Sequence, residues 1–223
     1  KKTPIGFLMV LLQRLATSST AAIRDSLERR IAALESRDEP QPASGETSGM
    51  EHWLDMEAEE ALEEAIWLRS ADWKSEREEL GRLLATAKQA EYQYTDAKAE
   101  RLLEWLDRLR TERAAVKANI FTEFVATQTY LRDFLGKHGY SVSVLNGSMD
   151  LEERNEVLRQ FKHATDILIS TDAGGEGLNL QFANVVINYD LPWNPMKIEQ
   201  RIGRVDRIGQ TRDVLVYNFV LSD

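Results

Sequence analysis

Gln200, Arg204 and Arg207 stand in the run EQRIGRVDR, residues 199–207. Guanidinium groups at fixed spacing suit anionic oxygen, phosphate above all, because their charge is permanent and their donors are forked. Upstream, STDAGGEGLNL (170–180) holds Gly174, Gly175 and Gly177 within four positions. Glycine allows positive φ and close approach of backbone to a ligand, and exposed backbone N–H groups favour phosphate oxygens. Each signal is weak alone. In this order, after the apolar run Ile167 to Ile169, they become specific. Asn194-Pro195 reads as a helix start, with Asn as the cap and Pro at the first helical position. Continued to 210, a helical wheel gathers Ile198, Ile202, Val205 and Gly209 on one side and Gln200, Arg204 and Arg207 on the other.

The elements that must carry these residues alternate. From about 115 the pattern predicts a strand at 116–121, a helix at 127–138 ended by Gly139, and a strand at 141–145 with the turn Asn146-Gly147-Ser148. A helix follows to about 162, capped by Asp150 with Glu153 completing a capping box. Strands at 167–169, 185–187 and 213–219 complete the set. Strands alternating with helices predict an α/β fold, a parallel sheet with helices on both faces. Ligands of such sheets sit beyond the carboxyl ends of the strands. Thr122-Glu123, Asn146-Gly147-Ser148, Ser170-Thr171-Asp172 and Asp190 all fall there, which argues for one composite site.

The first 97 residues read as helical. Residues 4–16 suit a buried helix, and Ser18, Ser19 or Thr20 can cap a second running to about Leu34. Arg24, Arg29 and Arg30 on it are expected on a solvated face. Residues 36–50 carry Pro, Gly, Ser, Thr and acids and read as a flexible loop. Residues 51–113 return to helix, with Trp53, Trp67, Trp73 and Trp105 expected in cores. The acidic run Glu57, Glu59, Glu60, Glu63 and Glu64 is expected on a solvated face.

Composition narrows the classes. The chain has no Cys, which excludes disulfides and thiolate zinc sites, and its three His are scattered without metal-ligand spacing, so no metal site is expected. No apolar run reaches membrane-spanning length and no signal pattern is present, so a cytoplasmic protein with no membrane partner is expected. Residues 1–100 carry 20 acidic and 13 basic side chains, and 101–223 carry 17 and 15. Neither part is a basic nucleic-acid module, so any such contact must be a local patch. The chain begins Lys1-Lys2-Thr3 without an initiator Met, as a fragment would.

Residues 98–223 resemble the C-terminal RecA-like lobe of superfamily 2 helicases. STDAGGEGLNL is similar to the fifth motif of that lobe, and EQRIGRVDR to the sixth, with Gln200, Gly203, Arg204 and Arg207 in Q-x-x-G-R-x-x-R spacing. IFTEF (120–124) resembles the fourth motif, and LNGSMDLEER (145–154) the segment after it. RIGQ (207–210) and DLPWNP (190–195) resemble the Swi/Snf-type double-stranded DNA translocases, whereas DEAD-box RNA helicases carry His where Gln200 stands. Within that group the chain is most similar to bacterial RNA-polymerase-recycling and phage-defence members. The resemblance implies arginine fingers at Arg204 and Arg207 reaching an ATP γ-phosphate, with Gln200 orienting them. It implies nucleotide coupling at Gly175, Gly177, Asn179 and Asp206. It implies DNA-backbone contacts at Thr122, Gly147, Ser148, Ser170, Thr171 and Trp193.

The sequence holds no G-x-x-x-x-G-K-S/T loop and no D-E-x-H motif after a strand. ATP and Mg²⁺ are therefore expected mainly on a first RecA-like lobe encoded upstream, and this chain alone is expected to be inactive as an ATPase. The expected partners are that lobe, double-stranded DNA, and RNA polymerase or a defence-complex subunit, with a nucleoid-associated location. Two alternatives stay open. One is a protein-interaction module acting through the acidic helices. The other is the second lobe of an RNA helicase or restriction-type translocase.

Overall fold

A computed structural model describes residues 4–36, 58–67, 73–113, 116–175 and 177–220. The chain divides into two compact units, 1–95 and 96–223. Apart from Ser36, the expected loop 36–50 lies outside the described residues, as do Trp53 and Glu57.

The first unit contains α1 (Pro4–Ser18), α2 (Thr20–Glu35), α3 (Ala58–Trp67) and α4 (Trp73–Gln93). Of the three candidate caps for α2 the chain uses Ser19, whose side chain accepts from the backbone N of Ala22 at 3.1 Å. Leu11, Leu15, Leu27, Leu34, Leu62 and Ile66 are buried. The arginines of α2 are not simply solvated. Arg24 pairs with Glu91 of α4 at 2.6 Å, Arg29 with Glu59 and Glu63 of α3, and Arg30 with Glu76 of α4 at 2.7 Å. Such partly exposed pairs contribute at most about 1 kcal/mol each. Their larger effect is to fix which turns of α2 face α3 and α4.

The second unit opens with α5 (Ala97–Glu112), then β1 (Ala118–Phe121), α6 (Val125–Lys137), β2 (Val142–Leu145), α7 (Leu151–His163) and β3 (Ile167–Ser170). A single turn α8 (Asp172–Gly175), β4 (Val185–Asn188), α9 (Pro195–Gly203) and β5 (Leu215–Asn218) follow. The five strands are all parallel, in the order β2-β3-β1-β4-β5. β1, β3 and β4 are buried on both faces, which is why each reads as an apolar run rather than an alternation. Ile120, Ile169 and Ile187 face a layer with Leu102, Leu106 and Leu109 of α5 and Leu131 and Leu135 of α6. Phe121, Leu168 and Val186 face the other, with Phe161 of α7, Leu180 and Val205. Trp105 joins the first layer and meets the ring of Tyr217. This is the expected RecA-like α/β sheet with a helical region before it.

The capping box forms, with Asp150 accepting from Glu153 N at 2.9 Å and Glu153 from Asp150 N at 3.0 Å. Buried Gln128 of α6 donates to the carbonyls of Leu145 and Ile169 at 2.9 and 2.8 Å, tying the ends of β2 and β3 together. A further expectation fails: the helix does not run to 210. It stops at Gly203, because the Arg204 carbonyl accepts from Leu180 N at 2.9 Å and Val205 is drawn into the core.

The turn after β3 presses on the end of β2. A Cβ on Gly174 would lie 2.5 Å from Asn146 Cα and from the Leu145 carbonyl. Gly174→Ala should destabilise the chain by about 1–3 kcal/mol through this backbone overlap. Gly136→Ala, with nothing within 4 Å of the new Cβ, should be neutral or stabilising by up to about 1 kcal/mol. Urea denaturation followed by circular dichroism checks both.

Candidate active-site edge

The connections leaving β1 and β3 run to opposite sides, so the switch point of the sheet lies beside β1. Crevices at such points, beyond the strand carboxyl ends, are where open α/β sheets bind ligands. Here that edge is built on a buried arginine. Arg201 of α9 is wholly inaccessible to solvent. Its Nε and Nη2 donate to the two carboxylate oxygens of Asp172, both at 2.7 Å. Its Nη1 donates to Asn188 Oδ1 at 3.0 Å and to the Asp190 carbonyl at 2.8 Å. The Phe121 ring lies 5.0 Å from its Cζ. One guanidinium thus joins the glycine turn, the end of β4 and α9.

Around this clamp the expected residues fall into two groups. Arg204 is half-buried at the end of α9, its Cζ 5.7 Å from the same Phe121 ring. Its guanidinium lies against Gly175, where a Cβ would collide with it and press on Phe121 at 3.4 Å. Gly175 and Arg204 are therefore brought together as a pair. Gln200, Asp206 and Arg207 are exposed nearby in the chain, Arg207 in the irregular segment after α9 rather than on a helix. Gly177 is exposed at φ +72°, a left-handed conformation that favours glycine. Asn179 is exposed and bonded to Gln181. Gln210 donates to the Gln181 and Ala183 carbonyls, both at 2.9 Å, and so staples the arginine segment back onto the lobe.

The residues expected to touch DNA also divide. Gly147 and Ser148 are exposed on the turn after β2, which Ser148 closes by donating to Asn146 at 2.7 Å. A Cβ on Gly147 would stand 3.0 Å from that of Ala173, so this turn lies against the glycine turn. Trp193 is 47% exposed on the turn before α9, beside exposed Leu191 and Met196. Thr122, Ser170 and Thr171 do not reach the surface. Thr122 donates to Asp190 at 2.6 Å, Ser170 to Asn119 at 3.1 Å, and the Thr171 hydroxyl accepts from Gly174 N at 3.2 Å. Their side chains are buried and hydrogen-bonded within the lobe. Tyr189, next to Asp190, is buried; desolvation, then Asp96 and Asp190, push its phenol far up, so it stays neutral.

Arg201, Asp172 as its partner, and Gln128 were not anticipated. The wheel held a signal for the first: position 201 lies about 40° from Val205 and thus beside the apolar stripe. A charge there must find a buried partner. Removing one member should cost about 3–5 kcal/mol, because the other is left charged and buried. Chemical denaturation of Arg201→Met and Asp172→Asn should give losses of that size. The double variant should lose clearly less than the two together.

The family described as "Helicase conserved C-terminal domain" matches residues 97–209. The chain is 52% identical over 102 residues to the uncharacterized ATP-dependent helicase YqhH of Bacillus subtilis, covering 46% of this chain and 18% of that protein. It is 37% identical over 125 residues to the RNA polymerase-associated protein RapA of Vibrio cholerae, covering 55% and 13%. It is 37% identical over 131 residues to the helicase SWR1 of Saccharomyces cerevisiae, covering 57% and 8%. The chain thus spans less than a fifth of the length of these relatives. In fold it is similar to the crystal structure of the C-terminal part of the Fun30 ATPase domain, with TM-score 0.51, 23% identity, and coverage of 91% of this chain and 61% of that one. These matches bear out the resemblance read from the motifs, and this chain belongs to the helicase conserved C-terminal domain family, with Swi/Snf-type relatives.

Proposed function

We propose that the chain is the C-terminal motor lobe of an ATP-dependent translocase acting on double-stranded DNA. The observation that carries this reading is the Arg201 clamp. It holds the arginine segment against the glycine turn at the carboxyl edge of a parallel sheet. Among the described residues that edge offers cations, and on this reading ATP and Mg²⁺ are held mainly by a first lobe. Water would attack the γ-phosphorus in line as the bond to the β-phosphate oxygen breaks. Negative charge then spreads over oxygens that Arg204 and Arg207 can stabilise, a contribution on the order of 10³–10⁵ in rate for arginine fingers elsewhere. Arg204 is anchored on Phe121 and Gly175, whereas exposed Arg207 suits a reach toward another lobe. Gln200 orients the cluster. Gly175, Gly177, Asn179 and Asp206 couple nucleotide state to the track.

The DNA backbone would meet Gly147, Ser148 and Trp193, contacts that position without reading sequence. Thr122 supports the start of the Trp193 turn through Asp190, and Thr171 closes the glycine turn through Gly174. Association with RNA polymerase, for which the Vibrio relative is named, is a further candidate role. Docking through the acidic helices is less favoured, since Glu59 and Glu63 are occupied by Arg29.

The full-length protein should hydrolyse ATP faster with duplex DNA than with single-stranded RNA. Arg207→Ala should lower kcat by on the order of 10³ or more while DNA affinity changes by less than about twofold. Stronger stimulation by RNA would point to an RNA helicase. Lost DNA affinity with kcat unchanged would make Arg207 a DNA ligand. Residues 1–223 alone should show no DNA-stimulated hydrolysis, and turnover abolished by Arg204→Ala would refute that.

A further inference from the structure

Asp190 divides its hydrogen bonds among three parts of the second unit. One carboxylate oxygen accepts from Lys98 Nζ of α5 at 2.8 Å. The other accepts from Thr122 Oγ1 at 2.6 Å and Glu123 N at 3.1 Å, at the end of β1. Its main-chain carbonyl accepts from Arg201 of α9 at 2.8 Å. The ion pair is nearly dry, with side chains 9% and 7% exposed. Lys98 Nζ also lies 4.1 Å from the centre of the Tyr189 ring.

Two physical features single Lys98 out. It sits in the first turn of α5, the end of a helix where the dipole disfavours a cation. It is also desolvated there, which costs free energy that a water-facing lysine would not lose. A buried pair of this kind is weak evidence for stability and better evidence for a fixed geometry. It meets the start of the segment 190–195, which carries Trp193 and leads into α9, with Arg204 and Arg207 beyond that helix.

We propose that Lys98 is a positioning residue for ATP turnover. Its ion pair with Asp190 sets the 190–195 turn and, through the Asp190 carbonyl and Arg201, the seating of α9 and of the arginine segment that follows it. The effect on turnover rests on the motor-lobe reading above; the effect on the turn does not. α5 is also the helix by which the chain enters the second unit, so the pair ties the start of that unit to its reactive edge.

The test uses the full-length protein with Lys98→Met, Lys98→Arg and the double variant Lys98→Met/Asp190→Asn. The double variant removes the unpaired charge, while the Asn carbonyl can still accept from Thr122. Hydrogen exchange over 189–203 should rise in Lys98→Met and in the double variant, with 142–163 unchanged. Nucleic-acid-stimulated kcat should fall about 10–100-fold in both, as expected for misplaced catalytic groups. KM for ATP should stay within about twofold, and Lys98→Arg should keep most of the rate. Wild-type turnover in the double variant would overturn the proposal, since Lys98 would then only neutralise Asp190. Unchanged exchange over 189–203 would overturn it as well. If the wild-type protein shows no nucleic-acid-stimulated hydrolysis, the motor-lobe reading fails by itself, and the exchange measurement alone decides whether Lys98 positions the turn.

Discussion

A guanidinium sealed from water must have its donors matched, and Arg201 meets that demand through Asp172, Asn188 and the Asp190 carbonyl. Three separate segments are therefore obliged to meet in one arrangement. Moving α9 would break charge-assisted bonds in a dry environment, where nothing replaces them. The constraint is directional in a way apolar packing is not. A leucine in place of Arg201 could slide, but a bidentate fork on a carboxylate cannot.

The exposed chemistry inherits its geometry from that constraint. Arg204 is three residues from Arg201, shares the Phe121 ring with it and lies against Gly175. The glycine turn therefore has two constraints. Asp172 is held by Arg201, while Gly174 and Gly175 must lack side chains so that the β2 end and Arg204 can approach. At these positions the glycine loop is tightly packed. At Gly177 φ is positive and the residue is exposed.

A parallel sheet makes this economical. Side chains at the strand ends alternate between faces, while the backbone ends all point to one edge. Thr122, Ser170 and Thr171 end their strands facing inward and turn their hydroxyls to Asp190, Asn119 and Gly174. Gly147 and Ser148 on the turn after β2, and Trp193 on the turn after β4, emerge at the surface. In the first unit the arginines of α2 do a looser version of the same work, pairing across to α3 and α4 with partial exposure to water.

The sequence by itself determined the fold class, the order of elements, the capping box at Asp150 and the helix start at Asn194-Pro195. These depend on short-range periodicity and local hydrogen bonds, which are written in neighbouring residues. It also located the edge where polar motifs collect, since strand ends follow from strand positions. Tertiary structure decided which polar residues are buried. Whether a threonine faces a ligand or a carboxylate 68 positions away depends on long-range register, and no local pattern carries it. It likewise ended α9 at Gly203, because a backbone bond to Leu180 and burial of Val205 outweighed the helical preference. And it turned Arg201 and Lys98, two ordinary cations in the sequence, into the buried partners of Asp172 and Asp190. Only folding brings those charges together and removes the water that would otherwise make their pairing matter little.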